Sequence, residues 1–237
     1  ILVASAGIGI RIIHLPVFQL KTIDIVPANE GKGLLQNVTR GQIERVVQNE
    51  ISGNFFTVDL VAVRQAFLAL HWVREMTIKR EWPNRLYVEL EEHTALARWG
   101  GDALVNTHGE VFQAEVEHVL PVFHSSIDDS AQEMTERYKR FSQLLEPLKQ
   151  YVAEINLSAR RAWQIRLKVG TQLELGREKV EVRLARYVSV YDRSIAYLNQ
   201  QEPLAYMDLR YENGMAIRLP AATILLTPYK PGFEEAT

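Results

Sequence analysis

The 237 residues carry 27 Lys+Arg against 29 Asp+Glu, a net charge of −2, and no cysteine. A hydrophobic content of 47% with 24% charged residues is that of an ordinary globular chain and excludes wholesale disorder. The near-neutral charge argues against a nucleic-acid binder, which needs a basic surface, and the lack of cysteine removes disulfides, thiolate catalysis and Cys-based zinc sites together.

The chain opens on an apolar lead, Ile1 to Ile13, with no charge before Arg11. A bilayer span takes about 20 apolar residues. The lead therefore reads either as a buried N-terminal helix or as the outer end of a membrane anchor whose beginning is missing. Pro16 disfavours helix at Leu15. Residues 19–26 then predict a strand, with Leu20, Ile23 and Ile25 as its apolar members. Thr39-Arg40-Gly41-Gln42 is a capping box, and Ile43, Val46, Val47 and Ile51 recur behind it at helical spacing. A second helix is expected over 58–70, with Leu60, Val63, Phe67 and Leu70 on one face. Two strands follow, over 72–82 and 85–91, turning at Pro83-Asn84. Strand, helix, helix, strand, strand buries two amphipathic helices on one face of a small sheet.

The second half has a different rhythm. Short apolar runs at Ala95–Trp99, 103–105 and Val111–Phe112, separated by Gly-rich turns, predict a β-meander. Ser130-Ala131-Gln132-Glu133 is another capping box, opening a helix striped by Met134, Tyr138, Phe141, Leu145 and Leu148. Strands are expected at Val152–Leu157, 162–169 and 172–175, then a helix with Val180, Leu184, Val188, Tyr191 and Ile195 inward. Two last strands, 204–211 and 215–219, flank Glu212-Asn213-Gly214, and Asn-Gly favours a tight hairpin.

Catalytic chemistry is sparse. His14, His71, His93, His108, His118 and His124 show no zinc-binding spacing. Glu89 and Glu91 share the outward face of one strand and read as solvated. No nucleophile elbow, phosphate-binding loop or dinucleotide fingerprint is present. Neither an enzyme nor a cofactor or metal site is expected. Trp72, Trp82 and Trp163 lie in strand patterns and are expected in the core. Tyr206 and Tyr211 flank the last hairpin, and 206–211 alternates with few charges. Such a segment suits pairing with a second chain, or is an ordinary C-terminal strand.

Several strings run in a familiar order. They are Leu15-Pro16-Val17-Phe18, Arg80-Glu81-Trp82-Pro83, Ala97-Arg98-Trp99, Gly109-Glu110-Val111-Phe112, Ala159-Arg160-Arg161-Ala162-Trp163, Leu184-Ala185-Arg186-Tyr187 and Asp208-Leu209-Arg210-Tyr211-Glu212-Asn213-Gly214. Together they resemble the FtsQ/DivIB family of bacterial cell-division proteins. The resemblance implies an α+β fold: a POTRA-like domain followed by a larger mixed β-sheet domain with two main helices. It divides the chain into the end of a transmembrane anchor and linker at 1–17, a POTRA domain at 18–92, a β domain at 93–222 and a flexible tail at 223–237. It further implies a single-pass inner-membrane protein, periplasmic in its C-terminal part and enriched at the septum. Its role would be non-enzymatic, scaffolding the divisome through FtsB and FtsL and linking early to late division proteins. The implied FtsB contacts are Arg210, Tyr211, Asn213, Gly214 and Met215, with Leu219 where an aromatic residue can occur and Arg160 from the preceding strand region. Recruitment and partner contacts in the POTRA domain would fall at Ile78, Arg80 and Glu92. The alternative is a POTRA-containing periplasmic chaperone or assembly factor for outer-membrane or secreted proteins.

Overall fold

The computed structural model describes residues 18–28, 35–196, 204–212 and 214–218. The expected anchor end at 1–17, the contacts expected at Asn213 and Leu219, and the tail from 223 lie outside these residues. Two compact units form: one holds the described residues up to Phe123 with Asp129–Glu136, the other His124–Asp128 with those from Arg137 on.

The first unit begins with β1 (Thr22–Pro27), α1 (Arg40–Glu50), α2 (Leu60–Leu68), β2 (Val73–Glu81) and β3 (Arg85–Glu92), the order read from the sequence. Helix α1 opens on the expected capping box, the Thr39 side chain accepting from the Gln42 N–H and the Gln42 side chain from the Thr39 N–H. Helix α2 starts later than its apolar pattern, because Asp59 caps it by accepting from the Val61 and Ala62 N–H groups at 2.9 and 3.1 Å. Likewise β1 starts at Thr22 rather than 19, since Gln19 makes only a lone bridge to Asn54. Strand β3 is central, parallel to β1 and antiparallel to β2. Its Leu86, Val88 and Leu90 meet Val46, Val63 and Phe67 from the helices and Met76 from β2 in one apolar cluster.

Trp82 corrects the expectation of a core residue: it is 74% exposed, because β2 ends at Glu81 and Trp82 already belongs to the turn into β3. Trp163 is buried as expected. Trp72 packs edge-on against Phe112, with 5.4 Å between ring centroids. Glu91 is half-buried rather than solvated, and its carboxylate accepts from Arg74 at 2.9 Å. The expected meander follows as β4 (Ala95–Trp99), β5 (Ala103–Asn106) and β6 (Val111–Phe112). Residues Val122 and Phe123 of β7 (Val122–Ser125) run parallel to β4. No sequence pattern had marked so short a strand.

Helix α3 (Ala131–Leu145) ends before the expected stripe does, because Pro147 lacks an amide N–H and the chain tightens into a 3-10 turn at Glu146–Leu148. In the second unit, β8 (Val152–Leu157), β9 (Trp163–Leu167), β10 (Gln172–Gly176), β11 (Tyr206–Asp208) and β12 (Ala216–Arg218) neighbour one another in that order. All pairs are antiparallel except β10–β11, which are parallel and are joined through α4 (Val180–Val190). A parallel pair needs such a crossover. Val180, Leu184 and Tyr187 form the buried face of α4. Tyr187 takes the inner position expected of Val188; its hydroxyl donates to Gln150 Oε1 at 2.8 Å, and burial pushes its pKa up.

Candidate interaction edge

Strand β12 is the last strand of its sheet. Among the described residues it pairs only with β11, and Ala216, Ile217 and Arg218 are all exposed. The strand beneath it is the opposite: Met207 and Asp208 of β11 are buried. The register sets Tyr206 beside Arg218, whose guanidinium lies 5.2 Å from the Tyr206 ring centroid. An edge strand presents a row of main-chain donors and acceptors to whatever extended chain approaches.

The loop from β11 to β12 is held from below. The sequence expected strands reaching Tyr211 and Met215 around a tight Asn-Gly turn. Instead the strands end at Asp208 and resume at Ala216. The Leu209 N–H donates to the Glu174 carbonyl at 3.0 Å, keeping the buried Leu209 beside β10. Beyond it, Arg186 of α4 gathers the chain. Its Nη2 donates to the carbonyls of Leu209 at 2.8 Å and Tyr211 at 2.6 Å, and its Nη1 to the carbonyl of Glu212. One guanidinium fork thus replaces the cross-strand bonds that a tight hairpin would have made.

Arg210 is locked in a second pair. Its Nε and Nη2 donate to the two carboxylate oxygens of Asp208 at 2.9 and 2.7 Å, and its backbone N–H to Asp208 Oδ1 at 3.0 Å. These hydrogen bonds, chiefly the guanidinium, hold the Asp208 carboxyl below the usual carboxylate range and raise Arg210. Gly176 packs closely beside the pair. That glycine has φ +74°, and a Cβ there would come 2.8 Å from Arg183 Nη1 and 3.1 Å from Arg210 Cγ.

Of the expected contacts, Tyr211, Gly214 and Met215 line one shallow groove of about 470 Å³ with Glu212 and Ala216, next to Arg210. Tyr211 is 59% exposed. Arg160 is exposed in the 158–162 turn, which is closed by the Arg161 N–H on the Ser158 carbonyl at 2.8 Å. The pairings Trp163↔Gly176 and Glu174↔Asp208 put that turn at the same end of the sheet as Arg210, two strand spacings or roughly 10 Å across.

Ile78, Arg80 and Glu92 form no comparable group. Ile78 packs on the core cluster, Arg80 Nη2 donates to the Val58 carbonyl at 3.0 Å, and Glu92 sits at the far end of β3. There its carboxylate accepts from the N–H groups of Gln36, Asn37 and Val38 at 2.8, 2.9 and 2.6 Å. Sequence reasoning missed Arg186 and Asp208 as parts of the edge. Arg186 lies 23–26 residues from the carbonyls it holds, beyond any local pattern. Among the described residues no group of three or more His, Cys, Asp or Glu could hold a metal, and no helix is long and apolar enough to cross a membrane.

Two family models match: "POTRA domain, FtsQ-type" over residues 32–93, and "Cell division protein FtsQ/DivIB, C-terminal" over residues 97–210. A protein of Nitrosospira multiformis named "Cell division protein FtsQ" is 49% identical over 206 residues, 87% of this chain and 86% of that one. Proteins of the same name from Burkholderia pseudomallei and Neisseria gonorrhoeae are 36% and 30% identical, over 92% and 86% of this chain and 86% and 80% of theirs.

Proposed function

This chain belongs to the FtsQ/DivIB family of cell-division proteins, and on that premise we propose that it scaffolds the divisome by lending the β12 edge to an extended segment of FtsB, in company with FtsL. The observation that carries the reading is a short exposed strand, paired on one side among the described residues and stiffened from below by Arg186. Main-chain groups of Ala216–Arg218 would continue the ladder, giving affinity without a sequence requirement. Specificity would come from the groove beside them. Tyr211 offers apolar area tipped by a hydroxyl, the profile of a residue that dominates an interface. Gly214 leaves room for a neighbouring backbone, and Met215 adapts to the side chain that enters.

Arg210 presents a charge already oriented. Asp208 takes two of its five side-chain N–H groups, and the side chain is 55% exposed, so an acidic partner residue reaching the others would add a bond worth about 1.5–3 kcal/mol. Arg160, at the same end of the sheet, would extend this basic rim. Asn213 and Leu219, outside the described residues, are proposed as further FtsB contacts on the strength of the family resemblance alone. We further propose a single-pass inner-membrane protein with its folded portion in the periplasm at the septum. We also propose a domain boundary at 92–93, between POTRA and β domains; one family model ends at residue 93 and the other begins at residue 97. Ile78, Arg80 and Glu92 are proposed to serve recruitment through the POTRA domain.

The test is a titration of wild-type and Tyr211→Ala protein with the periplasmic portion of FtsB. The variant is expected to lose about 2 kcal/mol of affinity, some thirtyfold in Kd, with an unchanged thermal melt. A variant isotherm that overlays the wild-type one would remove the edge from the account.

A further inference from the structure

We propose that the end of the POTRA module where the chain enters is a membrane-resting surface, with Phe18, Phe56 and Trp82 seated against the headgroup region of the bilayer. The inference rests on the membrane anchor proposed above and goes beyond it, since an anchor alone does not bring a folded domain into contact with lipid.

The register defines that end of the module. Thr22 of β1, Arg85 of β3 and Glu81 of β2 form one row across the sheet, so two strands begin and one ends there. Two loops join them. The β2–β3 turn bearing Trp82 is tied to the entering chain by the Lys21 N–H, which donates to the Asn84 carbonyl at 3.0 Å. The α1–α2 loop bearing Phe56 is tied to it by the Phe55 N–H on the Phe18 carbonyl at 2.9 Å, and to β2 by Arg80 on Val58. Phe56 meets Phe18 and Phe55 edge-on, with ring centroids 5.0 and 5.2 Å apart, so the aromatics are braced by their neighbours. Yet Trp82 and Phe56 remain 74% and 47% exposed.

A single exposed aromatic needs no explanation, but a group of them at one end of a small module does. Aromatic rings, Trp above all, favour the bilayer interface, where an apolar body and a wet rim are both satisfied. Around them the charges nearly balance: Lys21, Lys79, Arg80 and Arg85 against Asp24, Asp59 and Glu81. Arg85 is paired with Asp24, and Asp59 caps α2. The attraction is therefore apolar rather than electrostatic.

Chain length selects lipid as the occupant. Ile13 ends the apolar lead and Phe18 begins the described chain, five residues on. Even fully extended, that stretch reaches only about 18 Å. If the lead sits in the bilayer, the aromatic end is confined to its surface, and a weak contact is populated by effective concentration.

The experiment places the full chain in nanodiscs of phosphatidylethanolamine and phosphatidylglycerol, without and with brominated acyl chains, and follows tryptophan emission. Brominated lipid is expected to quench the wild type. Trp82→Phe should lose most of that quenching, and Phe56→Asp should cut it about twofold by lifting Trp82 from the interface. Thermal melts verify that both variants fold. Quenching equal in wild type and Trp82→Phe, or absent from a chain that floats with the discs, overturns the contact while leaving the anchor intact. A chain that does not float with the discs overturns both.

Discussion

Strands β2 and β12 are each outermost in their sheet among the described residues, yet they differ in what their side chains already do. Strand β2 is nine residues long, and Glu75, Lys79, Arg80 and Glu81 along it are exposed charges, a composition that deters a second chain from pairing. Strand β12 is three residues long, with one charge, beside the groove under Tyr211. In the POTRA module the residues named for partner contact hold the fold together: Ile78 on the core, Arg80 on a carbonyl, Glu92 on three amides. At the hairpin the holding is delegated to Arg186 and Asp208, which leaves Tyr211, Gly214 and Met215 facing outward. The proposed docking edge is thus one whose supporting bonds come from elsewhere.

The largest effect should come from the POTRA side of this comparison, where a residue proposed for recruitment also ties the fold together. Glu92→Ala strips the carboxylate from three consecutive N–H groups ahead of α1, two of them partly buried. Urea denaturation should show a loss of about 2–3 kcal/mol, and any fall in partner recruitment should track that loss. Undiminished stability with recruitment abolished would make Glu92 a contact residue, and the contrast between the edges would collapse.

The next effect is local. Arg186→Met keeps the side chain's apolar bulk and removes all three bonds to the loop. Amide exchange across 209–218 should accelerate, and FtsB affinity should fall about tenfold because the partner must then order the edge itself. Arg186→Lys, one ammonium in place of a fork, should restore part of both readouts. Unaltered exchange across the loop would show that the hairpin stands without its clasp.

How much of this was legible in the sequence follows from the range of each interaction. The capping box at Thr39, the alternation of Leu86, Val88 and Leu90, and the meander turns are local patterns, and the structure has them. Trp82 misled because a strand's alternation does not announce the residue at which it stops. Val122–Ser125 was missed because so short a strand is set by its neighbour β4 rather than by its own pattern. The hairpin's position came from Asn-Gly, but its width came from Arg186, which sequence distance hides.

The smallest effect separates the two regions by pH. Near the end of β3, Arg74 donates to Glu91 at 2.9 Å and to Glu110 at 2.8 Å. The Asn106 side-chain amide binds Glu110 at 2.6 Å and His93 Nδ1 at 2.9 Å, and the His93 ring stacks on Phe112 with centroids 4.1 Å apart. Burial holds His93 below the ordinary histidine value, while the hydrogen bond from Arg74 holds Glu110 below the ordinary carboxylate value. Below about pH 6.5 the unfolded chain therefore binds a proton at His93 that the folded chain resists, and stability falls from there toward the folded value. The contributions of Glu110 and of Asp208, whose carboxyls are shifted the same way, disappear only as pH drops through the carboxylate range. Between about pH 7 and 5.5 the melt of the first unit should thus decline slightly, while the Asp208–Arg210 pair keeps FtsB affinity level. Melts of wild type and His93→Gln at the two pH values, with FtsB titrations beside them, check this. The variant should flatten the decline and leave binding untouched, and an identical slope in both proteins would take His93 out of the balance.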